Sequence, residues 1–166
     1  MRGENKNAGF TLIELLIVIT IISIIAAVAF VALDPLTRFR DARDARRWSD
    51  LSAMVSAIKV DQIDNGGSYM TAITGLTAGQ VYMVGTDVAG CDDYNALCDT
   101  DVTADTNCVN LGDLVSQGYM GAIPVSPNGA GTWTTGHSGY TLSVTSTIVT
   151  VRSCESENSA EIFVLR

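Results

Sequence analysis

The hydrophobic and polar positions of the chain change pattern twice along its length. From Phe10 to Leu33 the residues are apolar without a break except for Glu14 and the hydroxyls Thr11, Thr20 and Ser23. Such a run predicts a helix that is hydrophobic on all sides, about 36 Å long and able to cross a hydrocarbon layer of about 30 Å. Pro35 then removes a backbone donor, so the helix is expected to kink or restart just past the span, with Asp34 placed to cap the restart. Beyond it, Trp48, Leu51, Val55 and Ile58 recur at helical spacing and predict an apolar stripe. Asp34 with Arg38, Arg40 with Asp44, and Arg46 with Asp50 are opposite charges four residues apart, the mark of a solvated face. Asn65-Gly66-Gly67 supplies the stop.

After Gly67 the period shifts toward two. Val81 to Val84 reads as a short strand and Leu111 to Val115 as a brief helix with Asn110 or Asp113 near its start. Tyr140, Leu142 and Val144 alternate with Thr141 and Ser143, Ile148 to Cys154 is rich in β-branched residues, and Ile162 to Leu165 is a candidate last strand. An antiparallel sheet of these strands would pack one face on the Trp48, Leu51, Val55 and Ile58 stripe, giving an α+β head.

Glu14 is the anomaly of the apolar run. An ionised carboxylate in hydrocarbon is costly unless paired, and no basic residue lies close to it in sequence. Snorkelling toward the interface, about one helical turn away, would make it tolerable but would not explain the Gly-Phe pair before it. Ala27-Val28-Ala29 offers a small-x-small site of the kind that ends a cleaved secretory signal, but the apolar stretch is long for that and Glu4 dilutes the positive leader. Arg2 and Lys6 precede the span, while Arg38, Arg40, Arg43, Arg46 and Arg47 follow it; by that count alone the C-terminal part would stay in the cytoplasm.

Gly9-Phe10-Thr11-Leu12-Ile13-Glu14, behind a short polar leader and ahead of an apolar helix, resembles the class III signal of type IV pilins and of the pseudopilins of type II secretion. The resemblance implies cleavage after Gly9 by a prepilin peptidase and methylation of the new amino terminus on Phe10. It implies an assembly role for Glu14, which would face the Phe10 ammonium either within its own subunit or on an incoming neighbour. It divides the chain into a leader (1–9), a membrane-spanning and filament-core helix (10–33), an amphipathic helix (34–65) and a sheet-bearing head (66–166), the α+β pilin fold. The segment Tyr119 to Gly129, then Trp133 and Gly139-Tyr140, is similar to the head of major pseudopilins, from which the cysteine-rich insertion 91–108 departs.

Charge and cysteine content refine this picture. From residue 60 onward two basic residues stand against twelve acidic ones, so the head repels phosphate backbones and no direct nucleic-acid partner is expected. Residues 34–59 are basic by contrast, and their arginines read as solvated surface or as a contact zone for acidic heads of neighbouring copies. Cys91, Cys98, Cys108 and Cys154, beyond a membrane-type segment, are disulfide candidates with three possible pairings, and none has the spacing of a zinc pair.

Calcium is the one cofactor for which candidates exist. Asp99, Asp101 and Asp105, with Thr103 and Asn107, alternate like the first ligands of a calcium loop, but Ala104 stands where such a loop needs Gly and Asn110 where it needs Glu. The pseudopilin resemblance offers Glu155, Glu157 and Glu161 near the C-terminal strands as rivals. His137 lies in a Gly/Thr/Ser loop, reads as a surface residue, and no nucleophile–base arrangement can be traced, so no enzyme is expected.

The expected function is therefore a structural subunit of a type IV pilus-like filament or a type II secretion pseudopilus. Its partners would be copies of itself, minor pilins, the prepilin peptidase, the inner-membrane assembly platform and the membrane. Before assembly it would be a single-pass inner-membrane protein, and afterwards an extracellular or periplasmic filament. The alternative from another class is a monomeric, membrane-anchored extracytoplasmic binding domain.

Overall fold

The structure, a computed structural model, describes residues 9–104, 107–145 and 148–166. The chain separates into two units, one ending at Arg38 and the other running from Phe39 to Arg166.

The first unit is dominated by α1 (Leu12–Leu33), every residue of which is exposed. Its two internal hydroxyls are satisfied by the helix itself: Thr20 donates to the Ile17 carbonyl at 2.8 Å and Ser23 to the Ile19 carbonyl at 2.7 Å. These polar interruptions therefore add no unpaired donor to an apolar surface. The helix ends at Asp34, whose left-handed backbone (φ 35°) is costly for a residue with a side chain. Pro35 follows as the first residue of α2 (Pro35–Asp64), a position where its missing N–H costs nothing. The Thr37 hydroxyl donates to Asp34 Oδ2 at 2.6 Å across the restart, so the expected break lies where the sequence placed it.

In the second unit, Leu51, Met54, Val55, Ala57 and Ile58 of α2 are buried against the sheet. The stripe differs from the expected one at its N-terminal end. Trp48 is 41 % exposed, and the buried positions upstream are Asp44 and Arg47, with Asp61 buried downstream. Asp44 pairs with Arg47 rather than with Arg40, while the Arg46–Asp50 pair forms at 3.6 Å. The helix stops after Asp64, where Gly66 (φ 66°) and Gly67 (φ 96°) take the left-handed conformation and the Gly67 N–H reaches the Gln62 carbonyl at 2.8 Å.

Four strands form an antiparallel meander in the order β1 (Val81–Met83), β2 (Tyr140–Thr145), β3 (Ile148–Ser153) and β4 (Phe163–Leu165). Tyr82, Leu142, Val151 and Val164 are cross-strand neighbours in register, and Leu142 and Val151 are fully buried beneath the helix. Two short helices, α3 (Thr71–Thr74) and α4 (Gly112–Ser116), complete this core with Ile73 and Leu114. Asn110 Oδ1 accepts the Gly112 N–H at 2.8 Å at the start of α4. The result is the α+β, pilin-like architecture expected from the sequence.

A second, smaller core joins Met83, Cys91, Val102, Trp133 and Cys154. It is stapled by Cys91–Cys108 and Cys98–Cys154, one of the three pairings the sequence left open. Within the insertion, Asn95 exchanges two hydrogen bonds with the Val102 backbone, at 2.7 and 3.0 Å, so residues 95–102 have a framework of their own.

Candidate functional site

At the start of α1 the chain makes a reciprocal cap. Thr11, in extended conformation, is the N-cap; its hydroxyl oxygen accepts the Glu14 N–H at 3.3 Å, while Glu14 Oε2 accepts the Thr11 N–H at 3.3 Å and the Thr11 hydroxyl at 3.0 Å. This capping box moves the helix start two residues past the expected Phe10. Gly9 and Phe10 consequently lie outside the helix, both exposed, and among the described residues a Cβ at Gly9 would meet nothing within 4 Å. The Glu14 carboxylate already faces the amide that follows Phe10. Hydrophobic periodicity does not report the role of Thr11, although Thr11-x-x-Glu14 ahead of an apolar run is itself a capping signature.

A second constellation lies between α2 and the C-terminal loop. Arg47 is completely buried, and all five of its N–H donors find acceptors. Nε donates to Ser126 Oγ at 3.2 Å, Nη1 to Asp44 Oδ1 at 2.8 Å and Glu157 Oε1 at 2.9 Å, and Nη2 to the Pro127 carbonyl at 3.0 Å and Glu155 Oε2 at 3.1 Å. Asp44 in turn accepts the consecutive backbone N–H groups of Glu157, Asn158 and Ser159 at 2.9 to 3.2 Å. Burial works to raise the Asp44 carboxyl, but these N–H groups and Arg47 outweigh it and hold the group below the usual carboxylate range. Glu157 is also held low, first by its hydrogen bond from Arg43 and, against burial, by Arg47.

Glu155 completes the cluster. Besides Arg47 it accepts the Ala130 N–H at 3.2 Å, the Trp133 indole N–H at 3.1 Å and the Gly131 N–H. The loop wraps it so closely that a Cβ at Gly131 would stand 2.6 Å from the Trp133 ring, so a glycine is needed there. The basic stretch, expected to be solvated surface or a contact zone for acidic heads of neighbouring copies, sends Arg43 and Arg47 into the acidic residues of its own head. Their glutamate partners lie 108 to 114 residues away, which no local periodicity reports.

Among the described residues the fold does not gather the calcium candidates into a ligand set. Among the described residues no group of three His, Cys, Asp or Glu side chains is arranged to hold a metal ion. Asp99 Oδ2 accepts the Ser156 hydroxyl at 2.7 Å, Asp101 is exposed, and Asp105 lies outside the described residues. Glu161 pairs with Arg152 and, at 3.5 Å, with the Thr100 hydroxyl. His137 is not the plain surface residue expected: its side chain is 17 % exposed, Nδ1 lies 2.7 Å from Asp87 Oδ2, and its ring stacks on Tyr94 with centroids 4.2 Å apart. The Thr134 hydroxyl, 3.5 Å away, approaches the same Nδ1 that Asp87 already holds, so this histidine joins two loops and is not set up as a base for that hydroxyl.

Comparison with known proteins adds one match. Residues 5–30 match the family described as Prokaryotic N-terminal methylation motif, the class III signal of type IV pilins and pseudopilins. No curated protein and no solved structure matches the chain. The motif supports a precursor of the type IV pilin-like or pseudopilin kind, points to a structural protein, and with its one apolar N-terminal helix is consistent with membrane anchoring.

Proposed function

We propose that this chain is the precursor of a structural filament subunit, of a type IV pilus-like fibre or a type II secretion pseudopilus. In this reading a prepilin peptidase cuts the Gly9–Phe10 bond, Phe10 is N-methylated, and the membrane holds the subunit through α1 until an inner-membrane assembly platform draws it into a polymer of its own kind and minor pilins. The single observation that carries the reading is the match of residues 5–30 to the methylation motif. The local geometry supports it, because a bond in exposed, non-helical backbone is open to a protease whereas one inside a helix is not.

Cleavage leaves an ammonium on Phe10, one residue before the amide that Glu14 already faces. That cation answers the carboxylate and gains from proximity to it in an apolar medium, within the subunit or across to a neighbour. Once α1 leaves lipid, neighbouring copies of the same all-apolar helix replace it as solvent, and a head-to-tail contact that does not close on itself extends as a fibre. Co-expression with a prepilin peptidase tests the proposal: the protein should shorten by its leader and appear in sheared filaments. A chain that keeps its leader in the presence of active peptidase would contradict it.

A further inference from the structure

We infer that Arg47, with Arg43 beside it, is the resident cation of the C-terminal acidic loop, so that residues 155–159 close onto α2 without a divalent metal. The pilin-type resemblance raises calcium at this place, with Glu155, Glu157 and Glu161 as ligands, and the donor chemistry of this chain does not fit it. Calcium takes about six to eight oxygens with free lone pairs. Here the oxygens are already committed, and mostly to hydrogens.

Glu155 accepts from Arg47, Ala130, Gly131 and Trp133. Asp44 accepts from Arg47 and from three successive backbone N–H groups. Glu157 is gripped by Arg43 through two nitrogens and by Arg47 through a third. A metal ion approaching any of these oxygens meets the positive ends of N–H dipoles, and would strand the guanidinium that is now satisfied on all five donors.

The space beside the cluster offers few free ligands as well. A cavity of about 620 Å³ opens beside the cluster, and Arg40 and Arg43 stand in its wall with Asp99, Glu155, Ser156 and Glu157. Of the three carboxylates in that wall, Glu155 and Glu157 are already held by Arg47 and Arg43. Three carboxylates against two buried or half-buried arginines leave the cluster near neutrality, which is the task a calcium ion would perform elsewhere. A planar, always-charged fork bonded to three segments, α2, 126–127 and 155–157, suits a permanent fastening, whereas a metal makes closure depend on its supply.

The test uses the full chain in detergent, in EDTA and in calcium at about 10 mM, tenfold above the weakest extracellular sites. A real site filled to that degree would raise the melting temperature by about 3–5 °C. The expected shift is below about 1 °C, with amide exchange of residues 155–159 equally slow in both conditions. A larger rise in calcium, or slower exchange there, overturns the inference.

In the second arm Arg47→Met should lower the melting temperature and release exchange at 155–159 in either condition, with Arg47→Lys intermediate because it keeps charge and loses the fork. An Arg47→Met protein that melts like the parent also overturns it. Should that variant not fold, Arg43→Met, at a partly exposed position, serves instead and should speed exchange at 157 in EDTA and calcium alike. The inference draws on the filament reading only for the calcium expectation, and the N-terminal mass of the same preparation reports on that reading separately.

Discussion

The Tyr140 hydroxyl donates to Asp50 Oδ2 at 2.8 Å, fastening the first residue of β2 to the helix above it. Tyr140 is fully buried, so its oxygen has no water to fall back on. Burial first, and the hydrogen bond and charge of Asp50 next, push its ionisation well above the ordinary phenol range. Tyr140→Phe should cost about 1–2 kcal/mol in urea unfolding, since Asp50 keeps Arg46 as a partner. In a spectrophotometric titration Tyr140 should remain unionised as long as the protein is folded, and a full complement of phenolates before unfolding would contradict this.

Acid should loosen the C-terminal loop before it disturbs the apolar core. Asp44 and Glu157 have folded pKa values below their unfolded ones, so each contributes stability that is complete above about pH 4.5 and is lost as pH falls through the lowered folded values. Melting temperature should therefore be flat from neutrality down to that range and then drop. Asp44→Asn, which keeps shape but gives up the charge facing Arg47, should flatten the drop while lowering the plateau; an unchanged acid limb in this variant would count against the assignment.

The disulfides should differ in what they hold. Cys98–Cys154 spans 56 residues and carries the Asp99 N–H to the Cys154 carbonyl at 2.7 Å, immediately before Glu155. Cys91–Cys108 spans 17 residues inside the insertion. Loop-closure entropy puts the first at about 4 kcal/mol and the second at about 3 kcal/mol. Replacing Cys98 and Cys154 together by Ser should increase amide exchange at 155–159, while the Cys91 and Cys108 pair of substitutions should act mainly on 91–108. The reverse pattern would show that the loop closure does not depend on this bridge.

Glu14→Ala is expected to leave the Gly9–Phe10 bond cleavable and to impair polymer formation by tenfold or more, roughly 1.4 kcal/mol or above at the subunit contact. Loss of its cap costs α1 only about 1 kcal/mol, small beside the burial of an all-apolar helix in lipid. Cell fractionation and counting of sheared filaments measure the two effects separately. Normal filament numbers from this variant would remove the pairing with the Phe10 ammonium from the account.

Much of the architecture was legible in the sequence because it is written in local periods. The strand at 140–145 follows alternation and that at 148–153 its β-branched content, and the helix break at Asp34 and Pro35 and the stop at Gly66-Gly67 follow backbone sterics. Trp48 was misplaced because an aromatic three residues before Leu51 continues an apolar stripe, whereas the position that turns inward is Arg47. A buried arginine looks like a solvated one until its acceptors are known, and those lie in segments 126–127 and 155–157. The disulfide pairing was closed to the sequence for the same reason: it depends on which loops the sheet brings together.

The most direct test of the filament-subunit account is the mass of the N-terminal peptide of the protein as isolated from its own envelope. The account predicts a chain that begins at Phe10 and is one methyl group heavier than the bare residue. A peptide that begins at Met1, or one that starts after the small residues near Phe30, would contradict it.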